Sequence, residues 1–219
     1  MIKGLIFDLD GTLLYSVEDL GDSVNEVLKE YGYPIRTYEE IKKNTGNGFR
    51  KLVERSLPEE KSEEFVDEAV ERFKYHYDKL HINKSKPYDG ILELLKTLNR
   101  NGIKIAINTN KGQKYSTNIM NKIFAGIDFV DNIGKRDGIP HKPDPTAINI
   151  ITEEMGLTKD EVAYVGDSEV DVATGKNAGV KTIACAWGFR TIDVLENAKP
   201  TVIVHKPEEI LDYLEETKQ

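Results

Sequence analysis

A single cysteine, Cys185, among 219 residues excludes an intrachain disulfide and makes a reducing compartment, the cytoplasm, the expected setting. Basic excess is missing as well: 30 Lys and Arg stand against 38 Asp and Glu, a net charge of -8. A surface that holds a nucleic-acid backbone normally concentrates cations, so nucleic acid is not an expected partner. No apolar run approaches the roughly 20 residues of a membrane-spanning helix, so a membrane is not expected either. The opening stretch Ile2 to Phe7 is too short, and meets Asp8 too soon, to be a secretory h-region. Internal repeats and low-complexity tracts are absent. What remains is the composition of a water-soluble globular chain, long enough for one large domain or for a core with a smaller companion.

The apolar run Ile2 to Phe7 ends in Asp8, the pattern of a buried parallel strand whose C-terminal end opens into a functional loop. Ile103 to Ile107 repeats it before Asn108-Thr109-Asn110, and Val162 to Val165 repeats it before Gly166-Asp167-Ser168. Lys181 to Ala184 and Thr201 to Val204 read as two further strands, with helical segments between. This alternation predicts an α/β fold with a doubly wound, mostly parallel sheet. Asp89 is placed to cap a helix over Ile91 to Leu98 that stops at Asn101-Gly102, and Asp144-Pro145 opens one that ends at Met155-Gly156. Between Ser16 and about Asn83 strand-like runs vanish. Val17, Leu20, Val24, Val27, Leu28 and then Phe65, Ala69, Val70, Phe73, Tyr77 recur at helical spacing. Residues 16–83 therefore read as an all-helical insertion, with 1–15 and 84–219 forming the core. Thr37 and Glu40 have the spacing of a capping box, and Gly46-Asn47-Gly48 breaks the helices midway.

Ligands of open α/β sheets bind beyond the carboxyl ends of the strands, so Asp8, Asp10, Thr109, Asn110, Asp167 and Asp171 are expected to converge. Four carboxylates in one concavity repel unless a cation sits among them, and hard oxygen donors suit Mg²⁺. A carboxylate also attacks a phosphate dianion only when the phosphoryl charge is neutralised. Asp8, at the end of the first strand, is the natural nucleophile, giving an aspartyl-phosphate. Asp10 is the candidate general acid for the leaving alcohol and base for the hydrolytic water. Gly11 lets the backbone turn beside the phosphate, and Thr12 can hold the loop. Thr109 and Asn110 offer hydroxyl and amide donors to phosphoryl oxygens, and Lys142, in a loop stiffened by Pro143 and Pro145, offers a fixed positive charge.

Asp8-Leu9-Asp10-Gly11-Thr12, Thr109-Asn110-Lys111, Lys142-Pro143-Asp144-Pro145 and Gly166-Asp167-Ser168 with Asp171 resemble, in order, the four motifs of the haloacid dehalogenase superfamily. The resemblance covers essentially the whole chain. It implies a Rossmann-like core with a C1-type helical cap, and Mg²⁺ held by the Asp8 side chain, the Asp10 backbone carbonyl and Asp167. Asp171 reads, by its position, as a residue that orients Lys142 or its loop, with a direct bond to the metal as the alternative. Pro87-Tyr88-Asp89-Gly90 and Trp187-Gly188-Phe189-Arg190 extend it toward the phosphoglycolate phosphatase-like branch, although Tyr15 stands where that branch often carries an acid.

The expected activity is hydrolysis of a small phosphomonoester such as 2-phosphoglycolate. Pyrophosphatase and sugar-phosphate phosphatase or phosphomutase activity use the same core and differ in what the cap binds. A dehalogenase would need no metal, and a non-catalytic phosphate-binding regulator would not need the full set of site residues. Gly48 and Arg50, with neighbouring Lys43, are the cap residues expected to reach a substrate carboxylate or second phosphate; the same segment also reads as a plain helix-to-helix turn. An apolar helix face reads alike whether it packs inside a chain or against a second copy, so oligomeric state stays open.

Overall fold

The run before Asp8 is apolar at every position because a central strand of a parallel sheet is covered on both faces. In the computed structural model, which describes residues 1–217, this strand is β1 (Gly4–Phe7), buried throughout. The chain continues through β2 (Leu14–Tyr15), α1 (Val17–Glu30), α2 (Tyr38–Asn44), α3 (Gly48–Ser56), α4 (Glu63–Leu80) and β3 (Lys86–Pro87). Then follow α5 (Ile91–Arg100), β4 (Lys104–Gly112), α6 (Gln113–Ile123), β5 (Asn132–Lys135) and α7 (Thr146–Glu154). The remainder is β6 (Val162–Gly166), α8 (Glu169–Ala178), β7 (Lys181–Cys185), α9 (Ile192–Ala198), β8 (Val202–Val204) and α10 (Glu209–Glu216).

Six strands form one sheet in the order β5-β4-β1-β6-β7-β8, and each neighbouring pair is parallel. From β1 the chain first builds outward through β4 and β5, then returns to the other side of β1 with β6. The order therefore reverses at β1, and a crevice opens there beyond the strand ends. Phe7 is level with Ile107 on one side and Val165 on the other, so Asp8 emerges between β4 and β6. One face of the sheet packs Ile6, Ala106, Ile133, Val162 and Tyr164 against Ala147, Ile148 and Ile151 of α7. Each such large aliphatic side chain contributes about 1.5–3 kcal/mol by leaving water.

Several boundaries differ from the sequence expectation. Strand β4 does not stop at Ile107; it runs on to Gly112 through Asn108, Thr109, Asn110 and Lys111, with a register shift against β5 between Asn108 and Gly112. Strand β5 was not expected, because Asn-Ile-Gly-Lys holds a single large apolar residue. Asp89 does not cap α5: the cap position is Gly90, at φ 84, with no side-chain bond to the helix. Asp144 does act at α7, accepting from the Thr146 backbone N–H at 2.9 Å.

The chain divides into two compact units, one of residues Met1–Leu14 with those from Pro87 onward, the other of residues Tyr15–Lys86. The first carries the sheet. The second carries α1 to α4, whose buried stripe includes Val17, Leu20, Val24, Val27 and Leu28 of α1 and Ala69, Val70, Phe73 and Tyr77 of α4. Phe49 packs edge-on against Phe73 and Tyr77 at 4.9 and 5.0 Å between centroids. The Thr37–Glu40 capping box opens α2. Asp19 on α1 is fully buried and ties down the end of the unit, accepting from the backbone N–H groups of Lys84 and Ser85 and from the Ser85 hydroxyl.

Candidate active site

Asp8 follows β1, Lys111 lies near the end of β4, Asp167 follows β6 and Asp171 sits in the first turn of α8, so the common strand edge gathers them. Carboxylate oxygens of Asp8, Asp167 and Asp171 lie within 4.8 Å of one another, all three residues buried. The Asp10 side chain is not in that group. Two buried lysines serve three of the four acids. Lys142 Nζ stands 2.9 Å from Asp8 Oδ1 and donates to Asp171 Oδ1 at 2.7 Å. Lys111 Nζ donates to both oxygens of Asp10, at 2.9 and 2.8 Å.

Asp167 is held by neutral donors instead. The Phe189 backbone N–H donates to its Oδ2 at 2.7 Å, and the Thr12 hydroxyl donates to its Oδ1 at 3.3 Å. Its carboxylate fills a hollow that glycines leave open. A Cβ on Gly11, whose φ of +86 suits glycine, would lie 2.4 Å from Asp167 Oδ2, and one on Gly188 would lie 2.2 Å from the Asp167 Cβ. Asp171 has both oxygens engaged, Oδ1 by Lys142 and Oδ2 by the backbone N–H and hydroxyl of Ser168, and the Ser168 hydroxyl in turn caps α8.

Four ionised carboxylates against two ammonium groups would leave two negative charges in a buried pocket, and the site resists that ionisation. Burial raises the Asp8 carboxyl to about 6, with Lys142 pulling it down and Asp171 pushing it up. Burial, then the charges of Asp171 and Asp8, hold Asp167 well above the usual carboxylate range. Burial works against the charged form of Lys142, yet Asp171 and Asp8 outweigh it and keep the ammonium well above its ordinary value. Asp8 Oδ1, although close to Lys142, lacks an aligned hydrogen-bond donor. Hard oxygen donors, two more carboxylates than ammonium groups and a carboxylate oxygen without a donor fit a divalent cation such as Mg²⁺.

Thr109 and Asn110 are buried beside this cluster. The Thr109 hydroxyl accepts from the Lys111 N–H at 3.3 Å, and Asn110 Oδ1 accepts from the Lys142 N–H at 2.9 Å, tying the lysine loop to β4. The Trp187 indole N–H donates to the Thr12 carbonyl at 2.9 Å, bringing the 187–190 segment to the loop after β1. In the helical unit Gly48 opens α3 at φ 81, and Arg50 is bonded to Asp67 at 2.8 Å and to Glu63. The guanidinium expected to meet substrate is thus engaged by acids of α4.

Sequence reasoning gave Lys111 no role, nor the Phe189 N–H. The Ser168-x-x-Asp171 spacing, that of an N-terminal capping box, was a readable signal for how Asp171 is fixed.

The family model described as "Haloacid dehalogenase-like hydrolase" matches residues 5–185. A phosphoglycolate phosphatase of Psychrobacter arcticus is 33% identical over 221 residues, covering 96% of this chain and 94% of the relative. "Phosphoglycolate phosphatase 1" of Pseudomonas aeruginosa is 32% identical over 213 residues, covering 94% and 78%. A haloacid dehalogenase-like hydrolase from Streptococcus pneumoniae superposes with a TM-score of 0.88 at 26% identity, over 97% of this chain and 98% of that one. The chain belongs to the haloacid dehalogenase-like hydrolase family. Its Rossmann-like α/β core and helical insertion agree with that placement.

Proposed function

We propose that the chain is a Mg²⁺-dependent phosphatase of small phosphomonoesters that works through a phosphoryl group carried on Asp8. The observation that carries this reading is the position of the Asp8 carboxylate: buried at the C-terminal end of the central strand, 2.9 Å from Lys142 Nζ and grouped with Asp167. A nucleophile there meets phosphorus with a fixed cation beside it. The relatives named phosphoglycolate phosphatase support a phosphate monoester, with 2-phosphoglycolate the first to test.

Asp8, Asp167 and the Asp10 backbone carbonyl are the proposed holders of Mg²⁺, which when bound offsets the charge of the phosphoryl oxygens. Lys142 supplies permanent positive charge beside Asp8, and Asp171 orients that ammonium. Thr109 and Asn110 are assigned to the phosphoryl oxygens. Asp10 is assigned the proton: it gives one to the departing alcohol and later takes one from the attacking water. Gly48 and Arg50 are kept as candidate substrate contacts, with the Arg50 pairs to Asp67 and Glu63 as the competing demand on that side chain.

Phosphate release from 2-phosphoglycolate and from an aryl phosphate, with Mg²⁺ or with EDTA, tests the reading. Acid quenching during turnover should leave one phosphoryl group on the peptide containing Asp8, seen by mass spectrometry. Metal-independent release, or activity retained by Asp8→Asn, would refute it.

A further inference from the structure

Asp10 lies past the end of β1 in an isolated bridge with Leu14, which fixes its backbone but leaves the direction of its carboxylate to whatever holds it. The holder is Lys111, on the neighbouring strand β4, 101 residues away in sequence. Its side chain is fully buried, that of Asp10 nearly so, and both carboxylate oxygens are bonded to the one ammonium. The other three acids share a different environment: Lys142 serves Asp8 and Asp171, and neutral donors serve Asp167. The Asp10 carboxylate, bonded to Lys111, is not among the oxygens of Asp8, Asp167 and Asp171 that lie within 4.8 Å of one another. An exposed ion pair would carry little weight, but a buried one with two short bonds fixes geometry.

We propose that Lys111 is the positioning residue for the acid and base work of Asp10, an inference that rests on the phosphatase reading above. In the first half-reaction an Asp8 oxygen bonds to phosphorus and the phosphorus–oxygen bond to the alcohol breaks. The Asp10 carboxyl proton moves to the departing oxygen. In the second half-reaction water gives a proton to the Asp10 carboxylate as its oxygen bonds to phosphorus and the Asp8–phosphorus bond breaks. An ammonium has three N–H donors, so Lys111 can keep one Asp10 oxygen anchored while the other carries the proton. The lysine touches no reacting atom in this scheme; it sets where the proton is delivered.

The signature of such a role is dependence on the leaving group. An alkoxide leaves poorly unless protonated, whereas a nitrophenolate leaves unaided, and kcat/KM reports only steps up to alcohol release. Lys111→Met should lower kcat/KM for an alkyl ester such as 2-phosphoglycolate about 100-fold, the scale of a misplaced general acid. The loss for p-nitrophenyl phosphate should be at least tenfold smaller. In the Asp10→Asn background, adding Lys111→Met should bring no further leaving-group-dependent loss, since the residue acts through Asp10. Equal losses for both esters, or a selective alkyl loss that persists without Asp10, would overturn the proposal. The double variant Lys111→Met with Asp10→Asn carries no unpaired buried charge, so the comparison stands if Lys111→Met alone fails to fold. Failure of the underlying reading looks different: aryl phosphate hydrolysis would then survive Asp8→Asn in the otherwise wild-type protein.

Discussion

Gly188 has no side chain where Asp167 has its carboxylate: a Cβ on Gly188 would stand 2.2 Å from the Asp167 Cβ and 2.5 Å from its Oδ2. The next residue, Phe189, bonds that same carboxylate through its backbone N–H. The segment after β7 therefore both makes room for the acid and holds it. Gly188→Ala should push Asp167 out of the cluster, lowering kcat/KM at least tenfold, raising the Mg²⁺ concentration for half-maximal activity and costing about 1–3 kcal/mol. Activity against Mg²⁺ concentration and urea unfolding check it; an unchanged Mg²⁺ requirement would count against the assignment of Asp167 to the cation.

Lys142 is the only cation in direct contact with both Asp8 and Asp171 among the described residues. Lys142→Met should reduce turnover by about 100-fold or more through loss of the fixed charge. It should also cost about 3–5 kcal/mol, because it strands two buried carboxylates. Added Mg²⁺ should return part of the lost stability but little of the activity. Thermal unfolding with and without Mg²⁺, alongside kinetics, separates the two effects.

The Asp8 carboxyl, raised by burial to about 6, keeps its proton in the folded metal-free protein at pH values where the unfolded chain, near 3.8, has lost it. The folded state then binds more protons than the unfolded one, so stability from this group is full below about 4 and is lost as pH rises through 6. In EDTA, Tm of the wild type should fall relative to Asp8→Asn between pH 4 and 6.5. The cation prefers the ionised form, so the Tm gain from Mg²⁺ should be small at pH 5 and large at pH 7. A wild-type curve parallel to that of Asp8→Asn would remove the basis for this expectation.

Asp19→Ala leaves the N–H groups of Lys84 and Ser85 without their buried acceptor. The helical unit should lose about 2–4 kcal/mol, mostly as unpaired donors. Hydrogen exchange at Lys84 and Ser85 should accelerate, while the phosphorylated Asp8 peptide should still form.

The strand ends at Asp8 and Asp167 were legible because both lie where an uninterrupted apolar run meets an acid, a pattern that central parallel strands impose. The capping box at Thr37 and the buried stripe of α1 were legible for the same reason, being local or strictly periodic. Strand β5 was not, since an edge strand is covered less and Asn132, Gly134 and Lys135 carry no strand pattern. Gly90 displaced Asp89 at α5 because the chain enters that helix at positive φ, which a glycine adopts without strain. Lys111 was hidden because a buried lysine is unfavourable until its acid is known, and Asp10 comes to it only through the pairing of β1 with β4. Arg50 looked available for substrate because Asp67 and Glu63 become its neighbours only once α3 packs on α4.

The strand order β4-β1-β6 places this centre where the loop after the first strand meets residues 101 and 155 positions further along the chain. No fragment of the chain can assemble it, and no local turn or helix pre-forms it in the unfolded state. Enzymatic turnover is therefore a reporter of completed sheet assembly, and during refolding its recovery should trail the return of helical signal rather than accompany it.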